Sequence, residues 1–370
     1  MAILSVEERT AMVDGFRRLL SEHGSEDHVR KAMATELGYD EGLWKKIADM
    51  GILGLIIDPD HDGIGAGPVE LEAIMEESGR ALLTAPLFSS AVLAAGLIGY
   101  SSDDAAKARL LPEIAAGTRI ATVAFTGDKG TWTADGVDVS AATSGDGVTL
   151  NGTAAYVTAG TQADTLLVVA RTDAGLATFE VDAKAPGVTI TRQATLDETI
   201  RLARITFANA PATPIAGADE AAINRTLDLG RVALAGEQAG GAQQVFEISM
   251  DYIKTRIQFG RPVGGFQALK HMAVDVMLDV ESAISAARRA ADDMCEGADT
   301  TQVSVNLAAF ASADGFHHAA QQAIQFHGGI GFTSSNAAHL YLRRARAGVQ
   351  LFGNSNFHRE RYLSLLEQAA

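Results

Sequence analysis

Apolar residues fall at helical spacing through the first third of the chain, at strand spacing through the middle, and at helical spacing again to the end. Residues 1 to about 117 read as helices, with Leu43, Ile47 and Met50 at i, i+4 and i+7 beside Trp44. From about 118 the segments shorten and become β-branched. Gly147-Val148-Thr149-Leu150-Asn151-Gly152 and Thr165-Leu166-Leu167-Val168-Val169-Ala170 are bounded by Gly, Asp and Asn, the punctuation of strands. Pro211 and Pro214 are expected to close this region. From Ala221 the helical period returns, and the proline-free run Ile223 to Arg256 predicts a helix of about 30 residues, roughly 45 Å long. Long antiparallel helices predict a bundle. Without βαβ alternation, a parallel dinucleotide-type sheet is disfavoured. The expected fold is α+β and multi-domain: an N-terminal helical domain over 1–117, a middle antiparallel β-barrel-like domain over 118–215, and a C-terminal four-helix bundle over 216–370.

Composition then narrows the function classes. The 370 residues carry 30 Lys plus Arg against 46 Asp plus Glu, a net charge of −16, which argues against nucleic-acid or membrane partners. Cys295 is the single cysteine. It excludes an internal disulfide, and no metal site is expected. The start, Met1 to Glu8, has neither a basic nor an apolar leader segment, so a reducing, cytoplasmic location is expected. The 22 residues between Arg80 and Asp103 carry no charge, but Thr84, Pro86, Ser89, Ser90, Gly96 and Gly99 interrupt them. A buried helix is expected there rather than a membrane span.

Several motifs fail on inspection. Asp58-Pro59-Asp60-His61-Asp62-Gly63 imitates a calcium loop, but its twelfth position is Val69 instead of Glu. Gly63 to Pro68 is glycine-rich yet lacks the strand–helix setting of a nucleotide loop and reads as a turn before a helix near Val69. No Glu-x-x-His, Gly-x-Ser-x-Gly, His-Glu-x-x-His or P-loop is present. Two later segments are harder to explain by packing. Arg256-Ile257-Gln258-Phe259-Gly260-Arg261-Pro262-Val263-Gly264-Gly265-Phe266-Gln267 joins two helices through a Gly/Pro turn. Gln325-Phe326-His327-Gly328-Gly329-Ile330-Gly331 breaks an apolar helix with three glycines, at about 1 kcal/mol of helix stability each.

These two segments resemble the acyl-CoA dehydrogenases, in which an Arg-x-x-Phe-Gly…Phe-Gln turn and a Gln-x-x-Gly-Gly-x-Gly turn bind FAD. The resemblance extends to Trp44 through Gly51 with Gly54-Leu55, to Glu76-Glu77-Ser78-Gly79-Arg80, and to His358-Arg359-Glu360-Arg361. It implies FAD-dependent α,β-dehydrogenation of an acyl-CoA thioester, a place in lipid metabolism and β-oxidation, and an electron-transfer flavoprotein as acceptor. Arg256, Phe259 and Gln267 match the pyrophosphate and adenine contacts. Gln325, Gly328 and Gly329 match the turn that reaches the FAD of a neighbouring subunit. Tyr156 and Thr158 match the aromatic-x-Thr over the flavin ring, Thr158 bonding its edge. A guanidinium fork suits pyrophosphate, and glycine lets backbone N–H groups approach phosphate. The alternative for Arg256 is an exposed helix-end cation, and for Thr158 a surface strand residue.

The chain departs from that family where the chemistry lies. The reaction needs a carboxylate to take the Cα proton while hydride leaves Cβ. The usual Glu before the last helix matches Gly353, and the Glu used by a smaller group matches Gly230. Glu237, seven residues on and near the same helix face, is the substitute considered as the catalytic base; its alternative is an ion pair with an Arg of another helix. Asp228 points elsewhere. Ala124-Phe125-Thr126-Gly127-Asp128-Lys129-Gly130 also replaces the family's Thr-Glu-Pro-Gly-x-Gly. Loss of both carboxylates with the FAD turns kept resembles one chain of the heteromeric α2β2 acyl-CoA dehydrogenases of actinobacterial steroid catabolism, whose partner carries the base. Small residues at 230 and 353 would widen the pocket for a bulky acyl group. Two other readings remain open, an oxygen-using acyl-CoA oxidase-like or nitroalkane-oxidase-like enzyme and a non-catalytic FAD-site or assembly subunit, in a homo- or hetero-tetramer. Arg343, Arg344 and Arg346 read as a solvated helix face, with a phosphate site as the alternative.

Overall fold

The computed structural model describes residues 4–144 and 147–369; residues 1–3, which open the start read above, lie outside the described residues. The helices α1 (Val6–His23), α2 (Glu26–Ala34), α3 (Glu41–Asp49) and α4 (Pro68–Arg80) come first. Ser5 and Glu8 form a reciprocal capping box that starts α1. A π-helical stretch, Phe88–Ala94, runs into α5 (Ala95–Tyr100), followed by α6 (Asp104–Ala115). The strands are β1 (Ala121–Ala124), β2 (Ser140–Ser144), β3 (Gly147–Thr158), β4 (Thr165–Thr172), β5 (Gly175–Asp182), β6 (Val188–Arg192) and β7 (Leu202–Asp219). The 36-residue α7 (Glu220–Thr255), a hairpin of β8 (Ile257–Gln258) and β9 (Arg261–Pro262), and α8 (Gln267–Glu296), α9 (Thr301–His327), α10 (Ala337–Gly348) and α11 (Ser355–Ala369) complete the chain. The α–β–α order is the one the periodicity predicts.

The chain folds as two compact units. One is built chiefly from Lys31–Gly67 and Thr84–Gly230, the other from Ser5–Arg30, Pro68–Leu83 and Arg231–Ala370. In the first, β4, β2, β3, β7 and β5 pair into a closed ring around Leu150, Val157, Leu166, Val168, Phe179, Ile205 and Phe207. That is the expected barrel-like core, filled by side chains from alternate positions. Its antiparallel character is incomplete: β1 lies parallel to β4, with Ala121 opposite Thr165. The β2–β3 hairpin supplies the long crossover that parallel pairing needs. The two prolines do not close the sheet either. Strand β7 pairs with β3 as far as Ala212 and with β5 from Thr213, so Pro211 and Pro214 flank its change of partner, where a missing N–H costs the ladder least. The uncharged stretch after Arg80 is buried in this unit, and no helix among the described residues is long and apolar enough to cross a membrane.

In the second unit α4 and α7 cross almost backbone to backbone. A Cβ on Gly240 would fall 1.9 Å from the carbonyl oxygen of Glu76, and one on Gly79 1.8 Å from that of Glu237. Only glycine permits this approach. The crossing buries the acidic face of α4: Glu76 pairs with Arg288 at 3.0 Å and Glu77 with Arg17 at 2.7 Å. Glu72 gains no such partner for Oε1, and burial, reinforced by the Glu76 charge, pushes its carboxyl up to about 8 from 4.5. The folded protein therefore keeps a proton that the unfolded chain releases above pH 4.5. Stability from this site is greatest below that pH and falls as pH rises through 8, by on the order of 5 kcal/mol. Urea unfolding at pH 5 and pH 8 is expected to show a smaller pH dependence in Glu72→Gln; an unchanged dependence contradicts the assignment.

Candidate functional site

Helix α7 stops at Thr255, and the hairpin that follows pairs Ile257 with Pro262 and Gln258 with Arg261. Its two central residues, Phe259 and Gly260, are both left-handed (φ 52° and 75°), as a tight hairpin turn demands. Phe259 is 91% exposed despite its size. Arg261 lies 4.1 Å over the Phe266 ring, and the N–H of Val263 closes the turn on the Arg256 carbonyl. Arg256 and Gln267 are exposed, and among the described residues the Arg256 guanidinium forms no ion pair.

The second elbow follows α9. Gly328 takes φ 61°, and a Cβ on Gly260, Gly328 or Gly329 would meet nothing within 4 Å, so bare backbone faces open space. Gln325 is exposed, and so are Ile330 and Phe332. Tyr252, one turn before Arg256, stacks on His327 with ring centroids 4.4 Å apart. The structure thus brings both elbows together at one end of one unit of a single protomer. Exposed Ile257, Phe259, Ile330 and Phe332 make this end apolar as well as polar, the composition of a surface that another body covers.

In the first unit, Tyr156 sits at an irregularity of the β3–β7 ladder with φ 55°, its N–H bound to Gln193 Oε1 at 2.8 Å. Its hydroxyl reaches the Asp128 carbonyl at 3.3 Å, so the ring lies against the Gly127–Gly130 loop. Thr158 is buried; Ser89 donates to its Oγ1 at 2.9 Å and Thr122 to its carbonyl at 2.6 Å. The altered segment after Ala124 is an ordered turn, with Phe125 stacked on Trp132, Thr126 bonded to the Thr131 carbonyl at 2.8 Å, and Asp128 paired with Arg204.

The two glycines that stand at base positions are both crowded. Beside Gly230 the Leu93 side chain lies 2.8 Å from where a Cβ would sit, with Phe88 at 3.8 Å. Neighbouring side chains therefore fill the room expected there. Gly353 has φ 114°, and a Cβ would meet the rings of Phe357 at 2.5 Å and His358 at 2.8 Å. His358 is buried, with Nδ1 2.9 Å from Asn306 Oδ1. Because Asn306 Nδ2 donates to the Gln302 carbonyl, its Oδ1 must accept, and His358 carries its proton on Nδ1. Burial and the Arg231 charge lower its pKa to about 3, so this imidazole stays neutral and is a poor proton acceptor.

Glu237 is buried and accepts from Arg344 at 2.6 Å, while Arg344 also donates to the Leu83 carbonyl at 2.9 Å. The solvated-face reading of residues 343–346 holds for exposed Arg346 but not for Arg344, which is 4% exposed. The signal was present: Leu340, Tyr341 and Ala345 on α10 are buried at helical spacing around it. Ser89 and Asn306 carried no comparable signal as members of a site, and His358 entered only within the His358–Arg361 run of the resemblance, with no role attached.

Comparison with known proteins assigns this architecture. Residues 6–118 match the family model "Acyl-CoA dehydrogenase, N-terminal domain" and residues 220–364 match "Acyl-CoA dehydrogenase, C-terminal domain". The chain belongs to the acyl-CoA dehydrogenase family, flavin-dependent oxidoreductases acting on CH–CH donors. It is 32% identical over 348 residues to acyl-CoA dehydrogenase IpdE2 of Mycobacterium tuberculosis, covering 93% of each chain. Among solved structures it is similar to the Tcur3481-Tcur3483 steroid ACAD, in a variant form, with TM-score 0.89, 30% identity and 98% of each chain covered. It is also similar to the ChsE4-ChsE5 complex of Mycobacterium tuberculosis, with TM-score 0.90 and 27% identity over 100% of this chain and 99% of that one.

Proposed function

We propose that this chain is one member of a heteromeric, FAD-dependent acyl-CoA dehydrogenase acting on a bulky, steroid-derived thioester, with the base supplied by a homologous partner chain. The observation that carries this reading is the pairing of open elbows with closed base positions. Arg256, Gln267 and Gln325 are exposed polar side chains of the kind a pyrophosphate and an adenine need, and at Gly328 and Gly329 no side chain keeps a ligand from the backbone, although the Gly328 N–H itself caps α9 on the Gln325 and Ile324 carbonyls. Thr158 supplies a hydroxyl for the ring end. These residues fit FAD, whose isoalloxazine, when bound, supplies the hydride acceptor. Tyr156 and the 124–130 turn would exclude water from one side of that ring. At Gly353 and Gly230 no carboxylate is available to take the Cα proton, and Glu237 is committed to Arg344.

The similarity to a steroid ACAD and to a two-chain complex supports the substrate class and the hetero-oligomer. An electron-transfer flavoprotein is the acceptor this family reading entails. The test is co-expression with a homologous dehydrogenase chain, flavin counting per assembly, and acyl-CoA oxidation followed in air. Flavin in the pair and acyl-CoA oxidation without peroxide are expected; peroxide formation selects an oxidase, and absence of flavin selects an assembly protein. In the same assay Arg256→Ala, by removing a charge-assisted contact worth roughly 1.5–3 kcal/mol, is expected to weaken FAD retention by about ten- to a hundredfold.

A further inference from the structure

Ser89 lies in the π-helical stretch Phe88–Ala94, a form of helix that is rare and concentrates at functional sites. It is 3% exposed and Thr158 is 5% exposed. Two consecutive serines fasten this stretch to the sheet: Ser89 Oγ–H donates to Thr158 Oγ1 at 2.9 Å, and Ser90 Oγ accepts the Ala121 N–H at 3.2 Å. On its other side the Thr158 carbonyl accepts the Thr122 hydroxyl at 2.6 Å. A hydroxyl has one proton to give and two lone pairs. With Ser89 on one lone pair, the polar act left to Thr158 is to donate, and no group among the described residues takes that proton.

We propose that Ser89 is a positioning residue that fixes Thr158 as a one-way hydrogen-bond donor toward the edge of the isoalloxazine ring. The inference rests on the FAD reading above and goes beyond it by assigning a role to a residue outside every motif. A donor held in place costs no reorientation when electron density arrives at the ring, so it favours the reduced cofactor and faster hydride transfer without adding to substrate binding. The alternative, that Ser89 only anchors the π-helical stretch, makes a different prediction, because Ser90 would still hold that stretch to β1.

The test uses the FAD-loaded protein in its assembly with the partner chain, comparing Ser89→Ala, Ser89→Thr, Thr158→Val and the double variant Ser89→Ala/Thr158→Val. Ser89→Ala is expected to keep its FAD, to show a lowered flavin midpoint potential and an altered 450 nm band, and to reduce flavin about tenfold more slowly, the worth of one hydrogen bond. Half-saturation by acyl-CoA is expected to stay unchanged. Ser89→Thr restores the native values, and the double variant matches Thr158→Val. A native potential and spectrum in Ser89→Ala overturns the proposal, as does an effect that adds in full to that of Thr158→Val, or loss of FAD from Ser89→Ala alone. A native assembly without flavin removes the functional reading and this inference together; a flavin-loaded one with an inert Ser89→Ala removes only the inference.

Discussion

Arg344→Met is expected to destabilise the protein by about 3–5 kcal/mol, because it strands the Glu237 carboxylate in the helical unit without its guanidinium. The two side chains are 5% and 9% exposed and 2.6 Å apart, so the charge has no water to turn to. Arg344 also holds the Leu83 carbonyl, which then loses that donor. Urea unfolding with an unchanged m value reads the loss directly. Removing both charges with apolar residues of similar volume is expected to cost less than Arg344→Met alone, since a buried pair is dear to break and cheap to replace. A loss under about 1 kcal/mol would class the pair with exposed ones and contradict the structural role. The same site separates the two readings of Glu237. Glu237→Gln keeps an acceptor for Arg344, so flavin reduction in the assembled protein stays within a few-fold if Glu237 is structural; abolished reduction identifies it as the base.

Gly353→Glu is expected to fail as a restoration. The substitution returns a carboxylate to the family's usual position, but the backbone there has φ 114° and the Cβ would fall 2.5 Å from the Phe357 ring. A non-glycine residue in that region costs about 1–3 kcal/mol before any ring has moved. The expected result is a lower thermal midpoint and no bleaching of flavin by acyl-CoA in the isolated chain; bleaching would show that the site accepts a base after all. Gly230 is the more permissive position, since the obstacle is the flexible end of Leu93 and α7 is helical there.

The strand–helix order, the long α7 and the elbows were legible in the sequence because periodicity and glycine spacing report local backbone requirements. What stayed hidden depends on which side chains meet across the fold. Arg344 stands in a run of arginines that resembles a solvated face; the apolar Leu340, Tyr341 and Ala345 around it mark an inward-facing position, but its ion-pair partner Glu237 emerges only in the fold. Pro211 and Pro214 signalled the end of a strand, yet the sheet continues because β7 exchanges partners between them. Glycine at 230 and 353 suggests room for substrate, whereas the space belongs to Leu93, Phe357 and His358. Ser89 reads in the sequence only as an interruption of an apolar run, and nothing local marks its hydrogen bond to a residue 69 positions away.

The most direct test of the account is anaerobic mixing of a bulky acyl-CoA with the FAD-loaded chain, first alone and then assembled with its homologous partner. The flavin of the isolated chain is expected to keep its colour while that of the assembly bleaches. Full bleaching by the isolated chain would contradict it, since the proton would then be leaving to a group within this protein.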